Sequence, residues 1–237
     1  MAPAHSAIAR TIRRVNEPMS THTIRVWDLP TRLFHWALVA CVIGLLATAW
    51  APGTWIEWHA RLGIAVLALL AFRLVWGLVG GRWSRFAALL HAPASVVAYL
   101  RGRPHRDHLV GHNPLGAASV LAMLAALLAQ VGTGLVSDDE IAFQGPLNRL
   151  VDTETGLAAT AWHADVGQWL LVALIGLHVA AIVFYQWRRK QDLVGPMLRG
   201  DKVLAFPAAP SRDDAASRLA ALGVFAACAG AVWWLVR

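Results

Sequence analysis

Four of the ten histidines in this chain lie in or beside long apolar segments, where a titratable side chain is unusual. They are His35, His59, His163 and His178. An ionisable group in such a segment is costly and is functional by default. A neutral imidazole can bind a metal through one ring nitrogen and donate a hydrogen bond from the other. A single histidine of this kind could equally form a polar contact between helices. The arrangement of all four must therefore distinguish metal ligands from structural contacts.

The apolar segments that carry these histidines predict membrane-spanning helices. Five stretches reach the length of about 20 residues that a helix needs to cross a bilayer. They are Leu33–Ala51, Leu62–Gly80, Leu115–Val136, Val166–Tyr185 and Leu219–Val236. None shows the alternation of a barrel strand. We therefore expect an all-α integral membrane protein with a four-helix bundle and a fifth, C-terminal transmembrane helix.

Composition agrees with this class and excludes others. Hydrophobic residues make up 57% of the 237 residues and charged ones 15%, whereas soluble domains carry about 25% charged residues. This balance argues against a soluble enzyme, a disordered protein and a secreted disulfide scaffold. Cys41 and Cys228 lie inside apolar runs and outside any CxxC or CxxCH pattern. This excludes a covalently attached c-type haem and a Cys-ligated zinc site.

Basic residues indicate the orientation of the chain. Lys and Arg are concentrated in residues 10–32, 82–106 and 188–218, whereas 51–58 contains none and 137–161 a single arginine. The positive-inside rule then predicts a cytoplasmic N-terminus and a C-terminus on the other side of the membrane. The net charge of +7 is better explained by this asymmetry than by nucleic-acid binding, because no basic stripe with interleaved aromatics is present.

The four histidines fall at two depths in the predicted membrane. His59 and His163 begin helices at the outer face, and His35 begins a helix at the inner face. His178 follows His163 by 15 residues, which places it about 22 Å deeper and about 60° away around the helix axis. We therefore expect one pair, His59 and His163, near the outer face and another, His35 and His178, near the inner face.

Two facing imidazoles suit a haem b with two axial histidine ligands, and helix bundles build such cofactor sites from facing helices. Zinc would require four ligands, and a proton relay would not explain the matched depths. Arg61 and Arg73 are candidate partners for the haem propionates, although both could instead extend to the membrane interface. His112 could contact a propionate or a quinone, or remain an ordinary loop histidine. Gln130 and Thr133 could form hydrogen bonds across helices.

Several motifs carry these residues, and together they resemble one family. They are Val26-Trp27-Asp28-Leu29-Pro30-Thr31-Arg32-Leu33-Phe34-His35-Trp36, His59-Ala60-Arg61-Leu62-Gly63, Phe72-Arg73-Leu74-Val75-Trp76-Gly77, Gly111-His112-Asn113-Pro114-Leu115-Gly116, Trp162-His163 and Gly176-Leu177-His178. The set resembles prokaryotic cytochrome b561 and the b-type cytochrome subunit of nickel–iron hydrogenases. The resemblance covers about residues 24–190.

The resemblance implies a four-helix core with two haems b, ligated by the same two histidine pairs, and a quinone such as ubiquinone as redox partner. We therefore expect a cytoplasmic, disordered arm at 1–23, a di-haem domain at 24–190, and a cytoplasmic linker with the fifth helix at 191–237. The location implied is the bacterial inner membrane, with a periplasmic C-terminus.

The expected function is electron transfer across that membrane between the quinone pool and a cytochrome c or dehydrogenase partner. Three alternatives stay open at this point. They are a superoxide:quinone oxidoreductase, a membrane anchor for a hydrogenase or dehydrogenase, and a haem-free, histidine-based metal transporter.

Overall fold

The computed structural model describes residues 21–51, 54–141 and 143–237. Its strands and helices, in chain order, are β1 (His22–Arg25), α1 (Leu29–Ala49), α2 (Trp55–Val79), α3 (Pro93–Leu100), α4 (Asp107–Val110), α5 (Pro114–Val136), α6 (Thr153–Ala161), α7 (Gln168–Arg188), α8 (Val194–Arg199), β2 (Asp201–Leu204) and α9 (Ala215–Leu235). A π-helical segment, Trp162–Gly167, joins α6 to α7. Within these ranges, five helices are long and apolar enough to cross a membrane. The predicted all-α membrane fold is confirmed.

The fourth membrane helix is longer than the sequence suggested. It runs without a break over Thr153–Arg188, through α6, the π segment and α7. Its predicted start at Val166 is therefore wrong. The first turns are polar, with Thr153, Glu154 and Thr155, so hydropathy does not reveal them. Asp152 marks the true start, because its carboxylate accepts a hydrogen bond of 2.7 Å from the Thr155 backbone N–H, which is an N-cap.

Helix α2 lies at the centre of the bundle. It packs against α1, α5 and α9, and it is the most buried of the five spanning helices. Its side chains Val66, Leu70 and Trp76 are almost fully buried in the main hydrophobic core. Because lipid covers the outward faces of the other helices, the many exposed apolar side chains on them need no protein partner.

A two-stranded sheet closes one end of the bundle. β1 and β2 are antiparallel, with His22 opposite Leu204 and Arg25 opposite Asp201. Arg25 Nε lies 3.0 Å from Asp201 Oδ1. β1 crosses the predicted boundary between the arm (1–23) and the haem domain (24–190), β2 lies in the predicted linker, and hydropathy alone gave no sign of either strand. Of the arm predicted to be disordered, residues 1–20 fall outside the described residues, whereas 22 and 23 are ordered in β1.

The N-terminus of α1 is fixed by a buried carboxylate. Asp28 is fully buried and caps α1 by accepting a hydrogen bond of 2.8 Å from Thr31 N–H. It also accepts hydrogen bonds from Trp76 Nε1 at 3.2 Å, Gly81 N at 3.1 Å and Ser84 Oγ at 2.7 Å. Asp28 thus joins the start of α1 to the end of α2 and positions His35, two turns further along α1.

Candidate functional site

His59 and His163 face each other at one end of the bundle, which we call the outer end. Their ring centroids lie 6.1 Å apart, with the ring planes at 78°. A metal–imidazole bond is about 2 Å long, so two such bonds in line plus the half-widths of both rings separate the centroids by about 6 Å. The observed distance therefore matches two axial ligands on one metal ion.

Each of these rings is oriented by a backbone carbonyl of a neighbouring helix. His59 Nδ1 lies 3.1 Å from the carbonyl oxygen of Leu45, and His163 Nδ1 lies 2.9 Å from that of Gln130. A carbonyl only accepts hydrogen bonds, so in both neutral rings Nδ1 carries the hydrogen and Nε2 is left as the ligand nitrogen. This is the tautomer that an axial haem ligand requires.

Hydroxyl and amide side chains reinforce this arrangement. Thr48 Oγ1 lies 3.2 Å from His59 Nδ1, and Thr133 Oγ1 lies 3.4 Å from His163 Nδ1. Gln130 Nε2 donates a hydrogen bond of 2.9 Å to the backbone carbonyl of His163. The predicted cross-helix contacts of Gln130 and Thr133 are confirmed. Thr48 was missed, because a threonine inside an apolar helix has no distinctive sequence signal.

A largely apolar cavity of about 330 Å³ surrounds the two rings, within the range of about 300–1,000 Å³ typical of cofactor sites. Two glycines shape it. A Cβ at Gly134 would lie 2.9 Å from His163 Cε1, whereas a Cβ at Gly63 would project into open space. Gly134 thus allows the ring to approach α5, and Gly63, one turn after His59, keeps the cavity wall flat. Such a wall fits the broad face of a porphyrin.

His35 and His178 form the second pair, at the opposite, inner end. His35 lies in the second turn of α1, and His178 follows His163 by 15 residues on the same long helix. The two side chains lie within electrostatic reach of each other. His35 Nδ1 is buried and has no hydrogen-bond partner among the described residues. The inner pair is therefore less completely oriented by the protein than the outer pair.

The π segment changes the angle around the helix axis between His163 and His178. A π turn contains one residue more than an α turn. The 15 residues from His163 to His178 therefore rotate the helix as far as about 14 residues of regular α-helix would. The angle between the two side chains becomes about −40°, where a regular helix would give about +60°. Both values leave the two side chains on one face of the helix. The sequence-based conclusion holds, although it assumed a regular helix.

Arg73 is buried at the inner end, where both it and His178 act electrostatically on His112. It is only 5% exposed, and its guanidinium carbon lies 4.8 Å from the centre of the Phe86 ring. The carboxylate of Asp28 lies within electrostatic reach of it. The Nη1 atom of Arg73 is buried and has no hydrogen-bond partner in the described part of the chain. A buried guanidinium with an unused donor suits an anionic ligand such as a propionate.

His112 lies in the loop before α5, where its ring centroid is 4.7 Å from that of Trp27. Its Nδ1 is buried and lacks a hydrogen-bond partner within the described ranges. Burial above all, and then the charges of Arg73, His178 and Lys202, lower the pKa of His112 to about 3. The ring is therefore neutral at pH 7 and belongs to the same polar neighbourhood as the inner pair.

Arg61 was predicted to lie beside the outer haem, but its side chain points away from the outer cavity. Its side chain is 61% exposed and lies 3.4 Å from Glu57 Oε2. Its guanidinium carbon is 5.0 Å from the centre of the Trp58 ring. The arginine does not line the outer cavity in this structure. Its assignment to a propionate of the outer haem stays a prediction.

The residues at both ends of the bundle have the chemistry that haem b requires. The outer end offers two opposed Nε2 ligands and a cradle that a Cβ at Gly63 would enter. The inner end offers unused buried donors on His35 and Arg73. Among the described residues, no group of three or more His, Cys, Asp or Glu side chains is arranged to hold a metal ion. Each end therefore offers two histidine ligands and not a complete set of protein ligands. This fits a metal that a macrocycle such as haem already holds.

Such a bundle, with apolar spanning helices and facing imidazoles, is the architecture of a membrane b-type cytochrome. The chain belongs to the prokaryotic cytochrome b561 family, whose model matches residues 26–200. It is 24% identical over 213 residues to the "Probable Ni/Fe-hydrogenase 1 B-type cytochrome subunit" of Escherichia coli (strain K12), covering 74% of this chain and 88% of that protein.

A second relative is the "Probable Ni/Fe-hydrogenase B-type cytochrome subunit" of Bradyrhizobium diazoefficiens. The identity is 24% over 235 residues, covering 84% of this chain and 92% of the relative. The family resemblance inferred from the motifs is confirmed. The protein is thus a multi-pass membrane b-type cytochrome of electron transfer.

Proposed function

We propose that the protein binds two haems b and conducts electrons across the bacterial cytoplasmic membrane. His59 and His163 would be the axial ligands of the outer haem, and His35 and His178 those of the inner haem. The observation that carries this proposal is the outer pair, with ring centroids 6.1 Å apart and both Nδ1 atoms facing backbone carbonyls. The inner pair repeats the same residue types on α1 and α7.

The residues of the chain hold and tune the cofactors. Bound haem would supply one-electron chemistry at its edge, since two axial histidines leave the iron no open position. The carbonyls of Leu45 and Gln130 keep Nε2 of the outer ligands free, which also raises their basicity. Arg73 would bind a propionate of the inner haem through its unused Nη1. Its positive charge would stabilise the reduced form of that haem.

The same long helix supplies one ligand to each haem. His163 and His178 are separated by 15 residues, or roughly 20 Å along the helix axis. This separation spans most of a hydrocarbon core of about 30 Å. The two haems would thus lie near opposite faces, and one helix would fix the distance between them.

The partners follow from the relatives and from the charge distribution. Both relatives are named as cytochrome subunits of Ni/Fe-hydrogenases, which supports a hydrogenase or a related dehydrogenase as the electron donor. A membrane pool of quinone would accept the electrons. The basic segments 82–106 and 188–218 favour a cytoplasmic inner end and a C-terminus in the periplasm.

Haem content tests the proposal directly. Purified protein is expected to show a reducible b-type spectrum and two haems per chain, measured as the pyridine haemochrome. His59→Ala and His35→Ala should each lower the ratio to one, and the two difference spectra should differ in their bands. His22→Ala, in β1, is the matched control and should keep two haems. Protein without a b-type spectrum, or two haems retained by both variants, would refute the proposal.

The acceptor is tested in a second experiment. The reduced protein should be oxidised rapidly by a short-chain ubiquinone, followed as loss of the reduced haem bands. If the purified protein instead reduces quinone only when superoxide is generated, the alternative of a superoxide:quinone oxidoreductase replaces the carrier function.

A further inference from the structure

A second cavity lies at the inner end of the bundle, and histidine, arginine, serine and aspartate side chains line it together with apolar groups. Its volume is about 500 Å³, and a water molecule occupies roughly 30 Å³ in the liquid. Its walls include His91, His105, His108 and His112. None of the assigned haem ligands lines it, and the proposed electron path does not need three of these four histidines. Polar side chains on its walls and this volume meet the two conditions under which a cavity can hold water.

The histidines form a sequence of contacts that leads inward. The ring centroids of His105 and His108 lie 6.0 Å apart, and those of His108 and His91 lie 4.9 Å apart. The backbone N–H of His105 donates to His108 Nδ1 over 3.2 Å. His108 Nδ1 is thus an acceptor, so in the neutral ring Nε2 carries the hydrogen. That nitrogen lies 3.0 Å from the hydroxyl oxygen of Ser95, which can both accept and donate a proton.

The two ends of this sequence differ in exposure. The side chain of His105 is 69% exposed and lies 3.7 Å from Asp107 Oδ2. At the other end, His91 Nε2 and His112 Nδ1 are buried and lack hydrogen-bond partners among the described residues. The cavity therefore connects a solvent-exposed imidazole with two buried ring nitrogens that have unused hydrogen-bonding capacity. This is the arrangement expected of a proton path.

The surroundings of the path favour the neutral form of two of its imidazoles, those of His108 and His112. Burial, and then His91 and His105, lower the pKa of His108, and Asp107 opposes them. Arg73, His178 and Lys202 act on His112. Arg82 and Arg85 also line the cavity, and the Tyr99 ring lies 5.7 Å from that of His108. A neutral imidazole accepts a proton at one nitrogen and releases one from the other, so it can pass protons without holding a charge.

We infer that His105, His108 and His91, with Ser95 and water in the cavity, conduct protons between the aqueous phase at the inner end and a quinone bound beside His112. This inference rests on the proposed function. Reduction of one quinone to quinol consumes two electrons and two protons. The electrons come from the reduced partner protein through the two haems, and the protons come from the aqueous phase through the histidines. Quinol oxidation runs the same balance in reverse.

The test compares two electron acceptors on full-length haem-loaded protein. Dithionite-reduced protein is mixed with a short-chain ubiquinone, which needs protons, or with ferricyanide, which takes one electron and no proton. His91→Gln and His108→Gln should slow oxidation by quinone roughly a hundredfold, and should leave oxidation by ferricyanide at the wild-type rate. A pH-indicator dye should show proton uptake slowed by the same factor. His22→Gln is the control and should change neither rate.

Ser95→Ala covers the case in which a histidine variant fails to fold. It removes only the hydroxyl at His108 Nε2, and it should slow the quinone reaction less than His108→Gln and increase its solvent deuterium isotope effect. Equal slowing with both acceptors, or no slowing with either, would overturn the proton path. Wild-type protein that contains no haem b or is not oxidised by quinone would instead refute the proposed function.

Discussion

At the outer end of the bundle both histidine rings are held by backbone carbonyls, whereas at the inner end His35 and Arg73 each keep a buried nitrogen without a partner among the described residues. The outer cavity is lined mainly by apolar groups, whereas at the inner end His35, Arg73 and His112 each have a buried nitrogen without a partner among the described residues. The ligand rings of the outer site are thus oriented by the protein itself. At the inner end, hydrogen bonds from a ligand to these nitrogens would recover the cost of their desolvation.

The two ends of the bundle also differ in the elements that position their side chains. The outer ligands belong to α2 and to the long fourth helix, and the neighbouring α1 and α5 supply their hydrogen-bond partners. The inner end depends on Asp28, the β1–β2 sheet and the loop that carries His112. A rigid helix interface therefore positions one site, and a network of loop and terminal contacts positions the other.

The largest effect is expected from filling the space beside an outer ligand. Gly134→Val should abolish binding of the outer haem and leave the inner haem, because the new side chain would take the place of the His163 ring. Haem stoichiometry and the reduced-minus-oxidised spectrum measure this. Gly132→Val, two residues earlier on α5, is the matched control, since a Cβ there meets nothing within 4 Å. Two haems in Gly134→Val would show that the outer cavity is not the haem site.

A second experiment compares two aspartates that cap helices at opposite ends. Asp28→Ala should lower the free energy of unfolding by about 3 kcal/mol, since it leaves several buried donors unpaired. Asp152→Ala removes an exposed cap and should cost only about 1 kcal/mol. Thermal unfolding in detergent measures both variants. Equal losses would contradict the view that the inner end depends on the buried carboxylate.

The smallest effect is expected at Arg61, the exposed counterpart of the buried Arg73. Arg73→Gln should weaken inner-haem binding roughly tenfold to a hundredfold, because one charge-assisted hydrogen bond contributes about 1.5–3 kcal/mol. It should also lower the midpoint potential of that haem. Arg61→Gln should leave both haems bound, since Arg61 is exposed and paired with Glu57. Loss of the outer haem in Arg61→Gln would restore the assignment made from its spacing, and unchanged binding in Arg73→Gln would remove Arg73 from the inner site.

The spanning helices and the histidine pairs were predictable because lipid imposes a strong pattern. Long apolar runs need no knowledge of their partners, and a histidine inside one stands out. The features that were missed depend on distant parts of the chain. The carbonyl of Leu45 carries no side-chain signal, and β1 pairs with a strand beyond four membrane helices. Asp28 followed by Pro30 does have the pattern of a helix start, but its contacts with Trp76 and Ser84 could not be read from spacing.

The β1–β2 sheet has a consequence for the biogenesis of the protein. Residues 22–25 are synthesised early, and their pairing partners 201–204 emerge only after the first four spanning helices. Chains emerge from the ribosome in order, so the first strand waits unpaired while those helices enter the membrane. The sheet at the inner end of the bundle consequently closes only after those four helices have been made. A haem that enters from this end would have this interval in which to reach the inner pair, before the sheet forms beside it.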